Sequence, residues 1–263
     1  MIGNNMNELI LADCFDELKK LPDNSVDLIL TDPPYGIDYK LNIGKLDRIL
    51  NDKAGDIDFS RFFDECYRVL KDKGSMYLFG RCDFFCRIGN EIQKSKFKYM
   101  HELLWIKGDM GSGNIGIFGQ IHENIIGLSK GTPRKSQPIL IDGEIKQRSK
   151  GAYWGKISTK EYCGHPTQKP VGLCAYIIEN RTVCGDVVLD PFAGSGSTLF
   201  AAKALDRQWI GIELDPKFYE MSKNRLEDIK SIEKFKKTIN QGYITYNGLI
   251  TLPKQFLIEF NEL

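Results

Sequence analysis

The sequence predicts an α/β fold built on a mostly parallel, mixed sheet with helices on both faces. Three observations point there. Short apolar runs alternate with segments of helical periodicity along most of the 263 residues, as in strand–helix–strand units. Two of those runs, Val26–Thr31 and Val187–Leu189, are apolar enough to be buried on both faces, as parallel strands are. Each run also delivers an Asp-Pro turn, Asp32-Pro33-Pro34-Tyr35 in one case and Asp190-Pro191-Phe192-Ala193-Gly194-Ser195-Gly196 in the other. In open α/β sheets the carboxyl ends of strands are where ligands bind.

The elements are expected in the following order. A strand near Leu9–Ala12 precedes a helix over Cys14–Lys20 and the strand Val26–Thr31, which the prolines stop. A loop through Asp52 leads to a helix at Phe59–Leu70, where Phe62, Phe63, Cys66, Val69 and Leu70 recur at helical spacing, and then to strand Ser75–Gly80. A helix at Phe84–Ser95 and strands at Glu102–Trp105 and Asn124–Leu128 complete the first half. From Lys107 to Gly164 the chain is rich in Gly, Ser, Lys and Pro and reads as an insertion, with a hairpin turning at Asp142-Gly143 between Ile139, Ile141 and Ile145. Regular signals resume with helix Val171–Asn180, strand Val187–Leu189, helix Ser197–Leu205, strand Trp209–Ile212 and helix Pro216–Ile229. Beyond these, a basic helix end and a strand-like Tyr243–Leu252 carry no assigned role.

Composition excludes several classes. With 42% hydrophobic and 27% charged residues the chain is neither disordered nor fibrous. No run approaches the roughly 20 apolar residues of a membrane helix, and no secretory leader is recognisable, so a cytoplasmic protein with no membrane partner is expected. Seven cysteines without a CxxC pair read as reduced thiols, and no metal site is expected. Net charge is +1, yet residues 130–160 carry +6 and the remainder −5. A basic surface on a neutral protein suits a polyanion, the alternative being a solvated loop.

The glycine turn at Asp190–Gly196 sits between a strand and a helix, lacks the lysine of a phosphate-gripping loop and lacks the third glycine of a dinucleotide fingerprint. Seventeen residues past Gly196, Glu213 closes the next strand, where a carboxylate can accept from both hydroxyls of a ribose. Taken alone, this unit fits a methyl donor or a dinucleotide.

With these motifs the chain resembles the S-adenosylmethionine-dependent amino-methyltransferases of DNA, over most of its length. Phe192, Gly194 and Gly196 match that family's FxGxG cofactor motif, and Glu213 matches its ribose-binding acid. His165-Pro166-Thr167-Gln168-Lys169-Pro170 is similar to the motif wrapping the methionine end of the cofactor. The resemblance implies a Rossmann-like methyltransferase fold with S-adenosylmethionine held by Asp13, Thr167, Lys169, Asp190, Phe192, Ala193, Gly194, Gly196 and Glu213. Asp13 also reads simply as a helix cap, and His165 by itself as a surface histidine. Asp32, Pro33, Pro34 and Tyr35 are the implied catalytic group, with the side chain of Asp32 and the carbonyl of Pro33 accepting the two hydrogens of an exocyclic amine and Tyr35 stacking on the base. A base inside a duplex cannot reach such a pocket, so it must be flipped out.

Asp at the head of DPPY is associated in the family with N6-adenine, and Ser with N4-cytosine. Carbon-5 chemistry is excluded because no Pro-Cys pair occurs. The order of motifs, DPPY before the glycine loop with a basic segment between, matches the circularly permuted β group. The chain therefore divides into a catalytic half (1–106), an inserted target-recognition region (107–164), a cofactor half (165–229) and an extension (230–263). Double-stranded DNA is the expected partner, with Tyr39, Lys40, Arg134, Lys135, Arg148 and Lys150 as candidate contacts. A homodimer and a cognate restriction endonuclease are compatible further partners. The alternatives carried are N4-cytosine methylation, methylation of a protein glutamine and a non-catalytic DNA-binding module.

Overall fold

The structure, a computed structural model, describes residues 6–37, 50, 52–53, 55–107, 121–135, 139–141, 144–146, 151–155 and 161–240. Along the chain these form β1 (Asn7–Leu11), α1 (Cys14–Leu18), β2 (Val26–Thr31), α2 (Phe59–Val69), β3 (Leu70–Gly80), α3 (Cys82–Lys94), β4 (Lys98–Ile106) and β5 (His122–Ser129). They continue as β6 (Ile139–Ile141), β7 (Glu144–Lys146), β8 (Ala152–Trp154), α4 (Val171–Arg181), β9 (Val187–Asp190), α5 (Ser197–Ala204), β10 (Gln208–Glu213), α6 (Pro216–Glu227) and α7 (Ile229–Asn240). Eight strands make one sheet in the order β1-β10-β9-β2-β3-β5-β4-β8, and β6 with β7 forms a separate antiparallel pair. Within the large sheet the pairings are parallel except those of β5, which runs antiparallel to β3 and β4.

Side chains alternate across a strand, so the sheet sorts its apolar residues into two cores. Leu28, Leu30, Tyr77 and Phe79 pack on one face against Leu173 and Ile177 of α4 and Leu199 and Phe200 of α5. Ile29, Met76 and Leu78 face the other side, against Leu18 of α1, Phe62 and Phe63 of α2 and Phe84 of α3. The mostly parallel sheet with helices on both faces is therefore as the sequence predicts. Helix starts follow local chemistry: Asp13, Asp58 and Asp215 cap α1, α2 and α6 by accepting from Phe15, Arg61 and Lys217 backbone N–H groups.

Beside boundary shifts such as β4 beginning at Lys98 rather than Glu102, three differences from expectation change how the fold is built. β3 begins at Leu70 rather than Ser75, because the polar Lys71–Gly74 stretch is a bulge rather than a turn; Lys73 adopts φ +67° and the register to β2 shifts between Val26 and Leu28. The single helix expected over Pro216–Ile229 breaks at Asp228, whose carboxylate caps a new helix by accepting from the Ser231 N–H at 3.1 Å. That helix, α7, sets Phe235 edge-on to Phe200 of α5, so residues 230–240 complete a core. The third is β8, which has no periodic signal in a Gly- and Lys-rich stretch yet adds a strand beside β4 and buries Tyr153. The strand-like Tyr243–Leu252 and the Asp142-Gly143 turn lie outside the described residues.

Candidate active site

The site begins with strand adjacency. β2 and β9 are neighbours, with Leu28 opposite Val188 and Ile29 opposite Leu189, so the Asp-Pro turns that follow them emerge side by side. Their chains then diverge, β9 leading to α5 on one face of the sheet and β2 toward α2 on the other. A crevice opens at such a switch point. Thr31 ties the two strand ends by donating to Asp190 Oδ1 at 2.8 Å. The resulting cleft, about 630 Å³, lies within the range of ligand pockets. Among its lining residues are Asp13, Asp32, Pro33, Pro34, Tyr35, Thr167, Lys169, Asp190, Phe192, Ala193, Gly194 and Glu213; Gly196 stands just behind.

On the β2 side, Asp32 is held by two donors, the Tyr35 hydroxyl at Oδ1 and the Lys169 ammonium at Oδ2, both at 2.5 Å. Tyr35 also donates to Glu123 Oε1 at 3.1 Å, and its ring packs on Phe84 with centroids 5.0 Å apart. Burial pushes the Asp32 carboxyl above its usual range, against the pull of Lys169 and with the help of Glu123. Glu123 is also buried, yet Lys169 and Lys107 hold it below the usual range. Lys169 is raised despite its own burial because it faces both carboxylates. The cluster thus sets one ammonium between two carboxyls whose affinities for a proton move in opposite directions, Asp32 up and Glu123 down. Burial, with Asp32 and Glu123 nearby, keeps the Tyr35 hydroxyl protonated and a donor.

On the β9 side, Gly196 enters α5 at φ +72°, a conformation that side chains disfavour, and a Cβ there would stand 2.7 Å from Ser222 Oγ. That hydroxyl is already committed, donating to the Gly194 carbonyl at 2.7 Å. Glu213, at the end of β10, accepts from the N–H of Gly194 at 2.7 Å and of Asp215 at 2.8 Å, and burial raises its pKa. Asp190 accepts from Thr31 and from the Phe192 N–H at 3.2 Å, and burial pushes it up to about 7. His165 is buried rather than on the surface, its ring 4.2 Å from that of Phe218 and beneath Gly194. Burial, with Lys169 and Arg225 beyond it, pulls His165 down to about 3. Asp13 does cap α1, accepting from Phe15 N–H at 2.8 Å, and lines the cleft as well. Accepting carboxylates at strand ends, a glycine turn that lets the backbone come close, and the aromatic Phe192 and Phe218 form a lining that fits a nucleoside with a charged tail.

The structure does not bring Arg134 to this cleft. Its guanidinium bridges Asp27 at 2.9 Å and Asp186 at 2.7 Å, at the amino ends of β2 and β9 and therefore at the end of the sheet opposite Asp32 and Asp190. Asp27 has almost no exposure and needs a cation, which fixes Arg134 there. Lys135 follows it, exposed, on that end. Tyr39, Lys40, Arg148 and Lys150 lie outside the described residues. Glu123 and Lys107 were not expected in the site. Because β5 runs antiparallel, its first residues reach the end of the sheet where the parallel strands finish, and strand direction has no local sequence signal. Among the described residues no group of three or more His, Cys, Asp or Glu could hold a metal ion, and no helix is long and apolar enough to cross a membrane.

The DNA methylase family model matches residues 26–224. The chain is 33% identical over 250 residues to the DNA adenine methyltransferase YhdJ of Escherichia coli (strain K12), covering 86% of this chain and 84% of that protein. It is 30% identical over 257 residues to the type II methyltransferase M2.MboI of Moraxella bovis, covering 88% and 92%. Its fold is similar to the crystal structure of the M1.HpyAVI–SAM complex, with a TM-score of 0.63, 27% identity and coverage of 84% and 98%.

Proposed function

The chain belongs to the N6/N4 DNA methylase family, and from that premise we propose that it transfers a methyl group from S-adenosylmethionine to the N6 amine of a flipped-out adenine in DNA. The observation that carries this is the meeting of Asp32 and the glycine turn across neighbouring strands, which sets an amine acceptor beside a nucleoside cradle. For adenine over cytosine, the support is Asp32 heading the DPPY turn and the adenine specificity named for the relative YhdJ.

S-adenosylmethionine supplies a methyl on a sulfonium sulfur, which departs as a neutral thioether with the bonding electron pair. In this reading Glu213 holds the ribose, Asp13 and Phe192 border the adenine, the Gly194–Gly196 turn admits the backbone close to the cofactor, and Thr167, Lys169, Asp190 and Ala193 complete the pocket. Asp32 and the Pro33 carbonyl accept the two hydrogens of the target amine, drawing its lone pair out of conjugation with the ring. Asp32 then takes the surplus proton, a role suited to a carboxyl that burial raises above its usual range. Prolines at 33 and 34 carry no N–H to compete for these acceptors and fix φ, so the array is preorganised.

DNA contacts are assigned to the loop after Tyr35, through Tyr39 and Lys40, and to the 107–164 region, through Arg148 and Lys150. A second subunit or a cognate endonuclease would be read from sedimentation of the protein and from restriction by its neighbouring genes. Incubation with methyl-labelled donor and mixed-sequence DNA, followed by nucleoside analysis, tests the function. Label in N6-methyladenine is expected; label only in N4-methylcytosine would transfer the reading to cytosine, and none in either base would end it.

A further inference from the structure

We infer that Glu123 is a positioning residue of methyl transfer, whose carboxylate takes over the Tyr35 hydroxyl and the Lys169 ammonium as the target amine engages Asp32. This rests on the role proposed above for Asp32. Three features lead to it. Each oxygen of Asp32 already has a strong donor, and an ammonium at 2.5 Å weakens the basicity of the oxygen that must take the amine's proton. Both donors are already within reach of a second acceptor, Glu123 Oε1, at 3.1 Å from Tyr35 and 3.5 Å from Lys169. Glu123 is 7% exposed, and the partners that surround it belong to the cleft: Tyr35, Lys169 and Lys107, the last at 3.2 Å from Oε2.

A carboxylate so buried is costly unless paired, and β5 could carry an apolar residue at this position as it does at Ile125. What Glu123 adds is a place for positive charge to go. Methylation leaves the amine nitrogen cationic until its proton departs, and an ammonium fixed on Asp32 would oppose that charge. Transfer of Lys169 by a fraction of an ångström toward Glu123 keeps the cation neutralised while Asp32 becomes available. Tyr35, whose single hydroxyl hydrogen is within reach of both acids, follows by giving up Asp32 and keeping Glu123. No covalent bond changes in this rearrangement, and the protons stay on Tyr35 and Lys169.

The test measures single-turnover transfer, donor affinity, melting temperature and entry of 2-aminopurine placed at the target position. For Glu123→Gln, a shape-conserving change, transfer should slow by roughly 10- to 100-fold, with donor affinity and melting temperature within error and base entry retained. Glu123→Asp, which keeps the charge, should recover part of the rate, and serves alone if the glutamine variant does not fold. Tyr35→Phe combined with Glu123→Gln should be non-additive, since the two share one hydrogen bond. Parent-like transfer in Glu123→Gln, additivity with Tyr35→Phe, or a loss seen equally in donor affinity and melting temperature would each assign Glu123 a purely structural role. Those results leave the methyltransferase reading intact, whereas absence of transfer by the parent protein overturns both.

Discussion

Asp32 accepts from one ammonium and one hydroxyl at hydrogen-bond distance, and at this scale small changes in chemistry have separable effects. Replacing it by Ala removes the acceptor of the amine hydrogen and the proton, and a fall in turnover of about 100-fold or more is expected. Donor binding, followed by calorimetry, should change little, because Glu213 and the glycine turn are untouched. Glu213→Gln should do the reverse, weakening donor binding by roughly tenfold or more through loss of a charged hydrogen-bond acceptor. Asp190 and His165 predict a pH dependence of stability with opposing signs. The Asp190 carboxyl is raised from 3.8 to about 7 by burial, so between these values the folded chain retains a proton that the unfolded chain has released. Stability falls as pH rises through that window, by on the order of 4 kcal/mol at most. His165 is lowered from 6.5 to about 3, so the unfolded chain gains its proton first and stability falls as pH drops through that range. In urea denaturation across pH 4 to 7, Asp190→Asn should flatten the loss toward neutral pH, and His165→Asn the loss toward acid; unchanged slopes would refute these assignments.

Turns and caps decide how the elements meet the ligand. Gly196 combines a left-handed backbone with a neighbour, Ser222, that leaves no room for a Cβ. Gly196→Ala should therefore destabilise the fold by about 1–3 kcal/mol and displace Gly194 through their shared partner Ser222, weakening donor binding as well. A denaturation midpoint equal to the parent's would contradict this. Most elements were legible because they announce themselves locally. α2 and β2 were visible as an amphipathic helical pattern and a continuous apolar run, and Asp13 as a cap of α1. β8 was not, because three residues show no period and are held by their neighbour β4. The break between α6 and α7 escaped for a related reason: Asp228 is an ordinary surface residue in a helical pattern, and its role as a cap exists only because α7 turns to pack on α5.

Across the whole molecule, the 121–135 stretch is bound into the core at both ends of the sheet. β5 sits between β3 and β4, and Arg134 clamps Asp27 and Asp186 where β2 and β9 begin. Arg134→Ala should lower stability by about 2 kcal/mol, since it removes a cation from a buried acid that Lys71 still partly neutralises. DNA affinity should stay near that of the parent; a selective loss of DNA binding at unchanged stability would return Arg134 to the interface. The sequence by itself determined the alternation of strands and helices, the two Asp-Pro turns and the glycine loop with its distant Glu213, because periodicity, apolar runs and turn residues act over a few neighbouring positions. Only the tertiary structure decided that Asp32 and Asp190, 158 residues apart in the chain, stand on adjacent strands. It alone decided that Glu123 and Lys107 enter the site and that Arg134 pairs with Asp27 and Asp186 at the other end of the sheet. Strand order, strand direction and the pairing of buried charges are set by packing between residues far apart in sequence, and no local pattern records them.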